Sequence, residues 1–204
     1  AAVFCNGENV GYHACGYTAF CVDITDFVRL GGENVIDVRL DTRESLNIPP
    51  FGFVIDYLCY GGLYREVTLE VKDPEYIQEV LIENIGLREI RVRISSECDN
   101  VVTDIVDKAG SVISSAVGKA FELGVPEAEL WSVDSPILYT ARVRAMRNGE
   151  CVDEKCLRFG FRTVNFKSNG FYLNGERLKI RGLNRHQAYA YVGYAMPKSV
   201  QEFD

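Results

Sequence analysis

Tyr139-Thr140-Ala141-Arg142-Val143-Arg144-Ala145 alternates apolar and polar side chains residue by residue. A period of two is the pattern of a half-buried strand, so Tyr139, Ala141, Val143 and Ala145 are expected to face a core, with Thr140, Arg142 and Arg144 facing away. Asn148-Gly149 follows. That dipeptide readily supplies the two left-handed residues of a tight hairpin turn, which would join this strand to one over residues 152–161. One-sided strands linked in this way build an antiparallel sandwich.

The pattern extends outward in both directions. In 87–95, Ile90, Val92 and Ile94 share one face and Arg91 and Arg93 the other, and the spacing predicts about seven strands between Ile77 and Phe161. The single tryptophan, Trp131, is expected to fill space between the sheets. Asp73-Pro74 marks a boundary, because proline restricts the residue before it and a new pattern begins just after. Upstream, 35–40 alternates as a strand, and 23–30 offers one helical turn closed by Gly31-Gly32. Pro49-Pro50 cannot continue a central ladder, which makes 48–60 an irregular loop ahead of a further strand over 64–71.

With 204 residues, 47% hydrophobic and 25% charged, the chain has the composition of a folded protein of one or two domains. A formal net charge of −7 with scattered cations argues against nucleic acid as a partner. No apolar run is long enough to span a bilayer, so no membrane partner is expected, and no signal pattern opens the chain. Ala1 already lies within a strand pattern, as in an internal fragment. The seven cysteines are odd in number and include no C-x-x-C pair, which points to reduced, mostly buried thiols and a cytoplasmic setting. Pairing of Cys151 with Cys156 across adjacent strand segments is left open.

Near the other end, a second Asn-Gly hairpin over 171–180 runs into Arg181-Gly182-Leu183-Asn184-Arg185-His186-Gln187. A strand that stops in a polar cluster can aim several hydrogen-bonding groups at one small ligand. A lone histidine in such a place is more often an ordinary surface residue, and it is the neighbours that raise its interest. His13, beside Tyr12 and Cys15, reads as a surface or edge residue.

Four separated stretches, in order, resemble glycoside hydrolase family 2, and within it the β-galactosidase branch. They are Gly11-Tyr12-His13 to Gly16-Tyr17-Thr18-Ala19-Phe20 with Val22-Asp23-Ile24-Thr25; Pro49-Pro50-Phe51-Gly52 with Ile55-Asp56-Tyr57 and Gly61-Gly62-Leu63-Tyr64-Arg65-Glu66-Val67; Leu130-Trp131-Ser132 with Ser135-Pro136-Ile137-Leu138-Tyr139 and Phe159-Gly160-Phe161-Arg162; and the Asn174-Gly175 hairpin with Arg181 to His186. The resemblance implies a mainly β chain: the C-terminal part of a jelly-roll sugar-binding domain (1–73), an immunoglobulin-like β-sandwich (74–163), and the start of a (β/α)8 barrel (164–204), its first strand ending at the polar cluster.

It further implies a fragment of a retaining β-galactosidase acting on β-galactosides, with β-glucuronidase or β-mannosidase as relatives of the same fold. Retention requires two carboxyl groups about 5 to 5.5 Å apart. The family's acid is the Glu of an Asn-Glu dipeptide, which this chain lacks, so no catalytic residue is expected within it and the isolated fragment should be inactive. His186 and Asn184 are implied as sugar contacts, Arg185 as a brace of the barrel wall, and Asp56 as a third sugar contact. No metal ligand is assigned here; a monovalent or magnesium cation would belong to the longer parent, as would any homo-oligomer. Arg65 and Glu66 are expected to form an ion pair. Gln187 and Ala188 to Tyr191 depart from the acidic, histidine-rich stretch of the galactosidases. A tandem of β-sandwiches serving as a carbohydrate-binding or adhesion module is the alternative from another class, and it would have no use for the terminal hairpin.

Overall fold

The one-sided strand at 139–147 organises a sandwich. In the computed structural model, which describes residues 1–43, 45–48 and 60–203, strands β1 (Ala2–Cys5), β2 (Glu8–Tyr12) and β3 (Ile36–Arg39) come first, followed by β4 (Ile77–Gly86), β5 (Glu89–Ser96), β6 (Val101–Val106), β7 (Val112–Val117), β8 (Ala120–Gly124), β9 (Tyr139–Arg147) and β10 (Glu150–Phe159). Then come β11 (Val164–Lys167), β12 (Gly170–Leu173), β13 (Glu176–Leu178) and a short helix α1 (Lys198–Phe203). The chain is mainly β, and every pairing among the described strands is antiparallel. It divides into two compact units, one of residues 69–183 and the other of 1–68 with 184–203.

In the first unit, sheets β4-β5-β8 and β10-β9-β6-β7 supply the seven strands of a sandwich. Tyr139, Ala141, Val143 and Ala145 of β9 are buried, as are Ile90, Val92 and Ile94 of β5. They share one core with Val101, Ile105 and Phe161. Phe161 packs edge-on against Tyr139 and Phe159, with ring centres 5.2 and 5.1 Å away, and takes the place expected of Trp131. Trp131 is only half-buried. A bridge between Leu130 and Phe161 and a bond from the Trp131 amide to the Phe161 carbonyl (2.9 Å) lay its backbone along the sheet margin. Its ring faces the Arg162 guanidinium at 4.9 Å instead of the core.

Asn148 (φ 53°) and Gly149 (φ 87°) are both left-handed, the requirement of a type I′ hairpin turn, and Asn174 (52°) with Gly175 (85°) repeats it. Asn174 also anchors the β11-β12-β13 sheet to the sandwich. Its side-chain Oδ1 accepts the Thr163 amide (3.0 Å) and its side-chain Nδ2 donates to the Trp131 carbonyl (3.0 Å).

Arg142 and Arg144 point away from the core as expected, yet they are not simply solvated. Asp104, opposite Arg142 in register, is buried on the outer sheet face. It accepts Arg142 Nη2 (3.0 Å), Arg144 Nη2 (2.6 Å) and Ser115 Oγ (2.7 Å). Desolvation pushes its carboxyl up, but bonds from Ser115 and Arg142 and the charges of Arg144 and Arg142 outweigh it, leaving the pKa below the ordinary value.

In the second unit, β2-β1-β3 form a three-stranded sheet, and the expected single turn is a 3-10 helix at Thr25–Phe27. His13 extends the β1–β2 pairing: its amide and carbonyl bond to Ala1, and its ring stacks on Phe20 at 4.6 Å. The stretch 64–71 forms no strand, because no described strand runs beside it to complete a ladder. Strand pairing likewise stops at Leu178, and 179–188 carries none. A parallel barrel strand exists only within a ladder of hydrogen-bonded strands, and no described strand pairs with 179–188.

Cysteine burial departs from expectation. Cys5 and Cys98 are buried, Cys15 is intermediate, and Cys21, Cys151 and Cys156 are exposed; all six are free. Cys151 and Cys156 lie on one strand, β10, and five residues of extended chain separate their Cα atoms by roughly 16 Å. A disulfide needs less than about 7 Å.

Candidate functional site

Three separated segments, 16–17, 60–65 and 188–195, meet around one tyrosine. In 188–195 the chain doubles back: the amide of Gly193 donates to the carbonyl of Tyr189 (2.9 Å) and the amide of Tyr189 to that of Gly193 (3.2 Å). Tyr191, at the tip, holds φ 69° with its side chain fully exposed. A bulky residue in the left-handed region is strained, which is uncommon outside sites that require it. Gly193 (φ 54°) sits against the Tyr60 ring, where an added Cβ would lie 2.9 to 3.2 Å from three ring carbons. Only glycine meets both the angle and the approach.

The turn delivers Tyr194 into an aromatic cluster. Its ring meets those of Tyr60 (5.0 Å), Tyr64 (5.6 Å) and Tyr17 (6.5 Å), all tilted or edge-on, an arrangement worth about 0.5–1.5 kcal/mol per pair beyond area burial. The Tyr64 hydroxyl donates to the Gly16 carbonyl. Arg65 lies over the Tyr64 ring at 5.1 Å and donates to the carbonyls of Tyr64 (2.9 Å) and Tyr194. The expected Arg65–Glu66 ion pair is thus replaced by contacts to tyrosines. Tyr60, Tyr64, Tyr189, Tyr191 and Tyr194 line an open cleft of about 590 Å³, together with Gly61, Gly62 and Leu63 on one side and Ala188, Ala190 and Val192 on the other. That volume suits a small ring-bearing molecule.

Asn184, Arg185 and His186 are exposed in the segment that leads into this turn, and none of their side chains lines the cleft. Gln187 fixes the segment's far end: its amide donates to the Gln201 side chain on α1, and Gln201 in turn donates to the carbonyl of Met196 (3.0 Å), which is buried. Asp56 lies outside the described residues. Among those described, no three His, Cys, Asp or Glu side chains gather as a metal cluster. The tyrosines had not been expected as site residues. Their trace in the sequence is the alternation of tyrosine with small residues in Ala188-Tyr189-Ala190-Tyr191-Val192-Gly193-Tyr194.

The model of the glycosyl hydrolases family 2 matches residues 66–162. A β-galactosidase of Thermoanaerobacter pseudethanolicus is 40% identical across 100% of this chain. The chain belongs to glycosyl hydrolase family 2. It spans 30% of that relative's length. A putative β-glucuronidase of Formosa agariphila is 31% identical over 95% of this chain and 25% of its own. Among solved structures, an FMN-binding β-glucuronidase from Facaelibacterium prausnitzii superposes with a TM-score of 0.82 at 32% identity, covering 96% of this chain and 33% of that one. Members with either sugar in their names therefore share this architecture.

Proposed function

We propose that this chain is the accessory portion of a retaining β-galactosidase. Residues 1–73 are read as part of its sugar-binding domain, 74–163 as its immunoglobulin-like domain and 164–204 as the opening of its catalytic barrel. The observation that carries the reading is 40% identity to a β-galactosidase across the whole chain, including the Asn184-Arg185-His186 segment.

Retaining hydrolysis needs a carboxylic acid to protonate the leaving oxygen and a carboxylate to attack the anomeric carbon. Both are contributed from outside these 204 residues, and this chain's part is to hold the sugar. A neutral imidazole both donates and accepts, so His186 can bridge two sugar hydroxyls, and the amide of Asn184 can do the same. Such bonds raise the rate to the extent that they tighten at the transition state. Asp56 completes the set as an acceptor for a sugar hydroxyl. Loss of a partner for a buried hydroxyl is costly, which gives hydrogen bonds their power to discriminate between sugars.

The test is an assay of the full-length protein on nitrophenyl β-galactoside, β-glucuronide and β-mannoside side by side. The galactoside should be turned over fastest, and His186→Ala should lower kcat/KM by about a hundredfold with an unchanged melting profile, a loss of about 2.7 kcal/mol in transition-state stabilisation. Preference for the glucuronide would assign the enzyme to the other branch. Binding without turnover on any of the three would favour a carbohydrate-binding module.

A further inference from the structure

We propose that the tyrosine cleft at 60–64 and 188–195 is a stacking subsite for the ring of the glycoside's leaving group, with Tyr191 as its outer wall. The inference rests on the glycosidase reading above and adds to it a binding role for residues two to nine positions beyond His186.

The lining decides the class of ligand. Among the described residues that form the cleft there is no Asp, Glu, Asn, Gln, Arg, Lys or His. Such a wall lacks the bidentate donors and acceptors that tell one sugar epimer from another, and it carries no cation for a uronate carboxylate. Arg65 does not change this, since its guanidinium lies on the Tyr64 ring and bonds backbone carbonyls. What the cleft offers is aromatic faces and edges with phenolic hydroxyls at their rims. Those suit a flat six-membered ring of variable substitution, because aromatic faces attract ring C–H groups and other π-systems without requiring a fixed hydroxyl pattern. In a glycoside the glycone must be recognised strictly, while the leaving group is the part whose identity can vary. A tolerant, apolar ring site therefore matches the leaving group.

The backbone agrees. Tyr191 is held left-handed and fully exposed at the tip of a turn closed by two hydrogen bonds, so its ring is presented to solvent and not used to fill a core. Tyr60 and Tyr64 pack edge-on to Tyr194, which fixes the opposite wall. Gly193 allows the turn to approach Tyr60 closely enough to form a cleft.

The experiment compares Tyr191→Ala, Tyr191→Phe and wild type in the full-length protein on three galactosides: 4-nitrophenyl, lactose and methyl. Tyr191→Ala is expected to raise KM about fivefold to tenfold for the two with ring leaving groups, the effect of one lost stacking contact, and by less than about twofold for the methyl glycoside, which has no ring to stack. Tyr191→Phe, which keeps the ring, should recover most of that loss. An arm affected without the other tells an aryl from a pyranose preference. Equal losses on all three substrates would make Tyr191 a structural residue and overturn the proposal. Saturation-transfer NMR with 4-nitrophenyl 1-thio-β-galactoside provides a readout independent of turnover. Transfer to the aryl protons that Tyr191→Ala abolishes upholds the subsite even if no galactoside is hydrolysed, an outcome that would sink the galactosidase reading alone. No transfer to the aryl protons in wild type overturns the subsite.

Discussion

Residues 69–183 and the unit of 1–68 with 184–203 are built on different terms. The first closes two sheets over a continuous apolar core in which Ile77, Ile90, Val92, Val101, Ile105, Val143 and Phe161 are wholly buried. In the second, the buried apolar side chains among the described residues are Val3, Cys5 and Met196, while Leu30, Tyr191 and Leu183's neighbour segment 184–186 stand in solvent. Its order comes from small polar clusters and from edge-on tyrosines. The difference teaches where stability and recognition reside. Apolar burial at about 25 cal/mol per Å² supplies the stability, and sparsely cored segments open at lower free energy and keep side chains exposed to ligands.

The largest effect should come from the sandwich core. Phe161→Ala removes a wholly buried ring that contacts Tyr139 and Phe159, and is expected to cost about 3–5 kcal/mol, read as a fall in the urea midpoint. Tyr189→Ala in the other unit should leave that midpoint in place, and a matching loss there would erase the contrast.

Asp104→Asn comes next, at roughly 2–3 kcal/mol, because two guanidinium groups lose their shared carboxylate. Its pH dependence has a definite sign. A carboxyl whose pKa is lowered by folding adds stability above its unfolded value of about 3.9, and that contribution is lost as pH falls through the folded value. Wild type should therefore lose stability on the acid side of pH 4 to 5 more steeply than Asp104→Asn, as checked by urea melts between pH 7 and pH 3.

A smaller effect, about 1–2 kcal/mol, is expected for Asn174→Ala. It loses bonds to Thr163 and Trp131 and places a Cβ-bearing residue without local compensation at φ 52°. Limited proteolysis should then cut within 164–178 while β4–β10 stay intact. The smallest belongs to the exposed thiols: Cys151→Ser and Cys156→Ser should each shift stability by less than about 0.5 kcal/mol, and thiol titration should give the same count at those positions with and without reductant.

The sandwich was legible because its information is local. Period-two alternation in 139–145 and 87–95 and the Asn-Gly pairs each state a strand or a turn within a few residues. What escaped prediction depends on distant partners. Trp131 was displaced from the core by Phe161 through a bridge to a segment thirty residues on, and Asp104 became a buried ion centre because β9 lies beside β6 in that register. The tyrosine cleft joins 60–64 with 188–195, and Tyr17 packs on Tyr194 from a third segment; no window of sequence contains all three. Arg65 was read with its neighbour Glu66, while its actual partners include a carbonyl at Tyr194. Of the sugar contacts expected from the family resemblance, Asn184 and His186 lie in an exposed segment ahead of the cleft, and Asp56 lies outside the described residues.

Amide hydrogen exchange on the 204-residue chain, followed by mass spectrometry at peptide resolution, tests the contrast most directly. Peptides from β5, β6 and β9 should exchange slowest and together, and those from 60–68 and 184–203 faster by several orders of magnitude, with protection at 188–195 rising on addition of 4-nitrophenyl 1-thio-β-galactoside. Equal, slow exchange in both units would contradict the account, since it would place recognition and stability in one cooperative body.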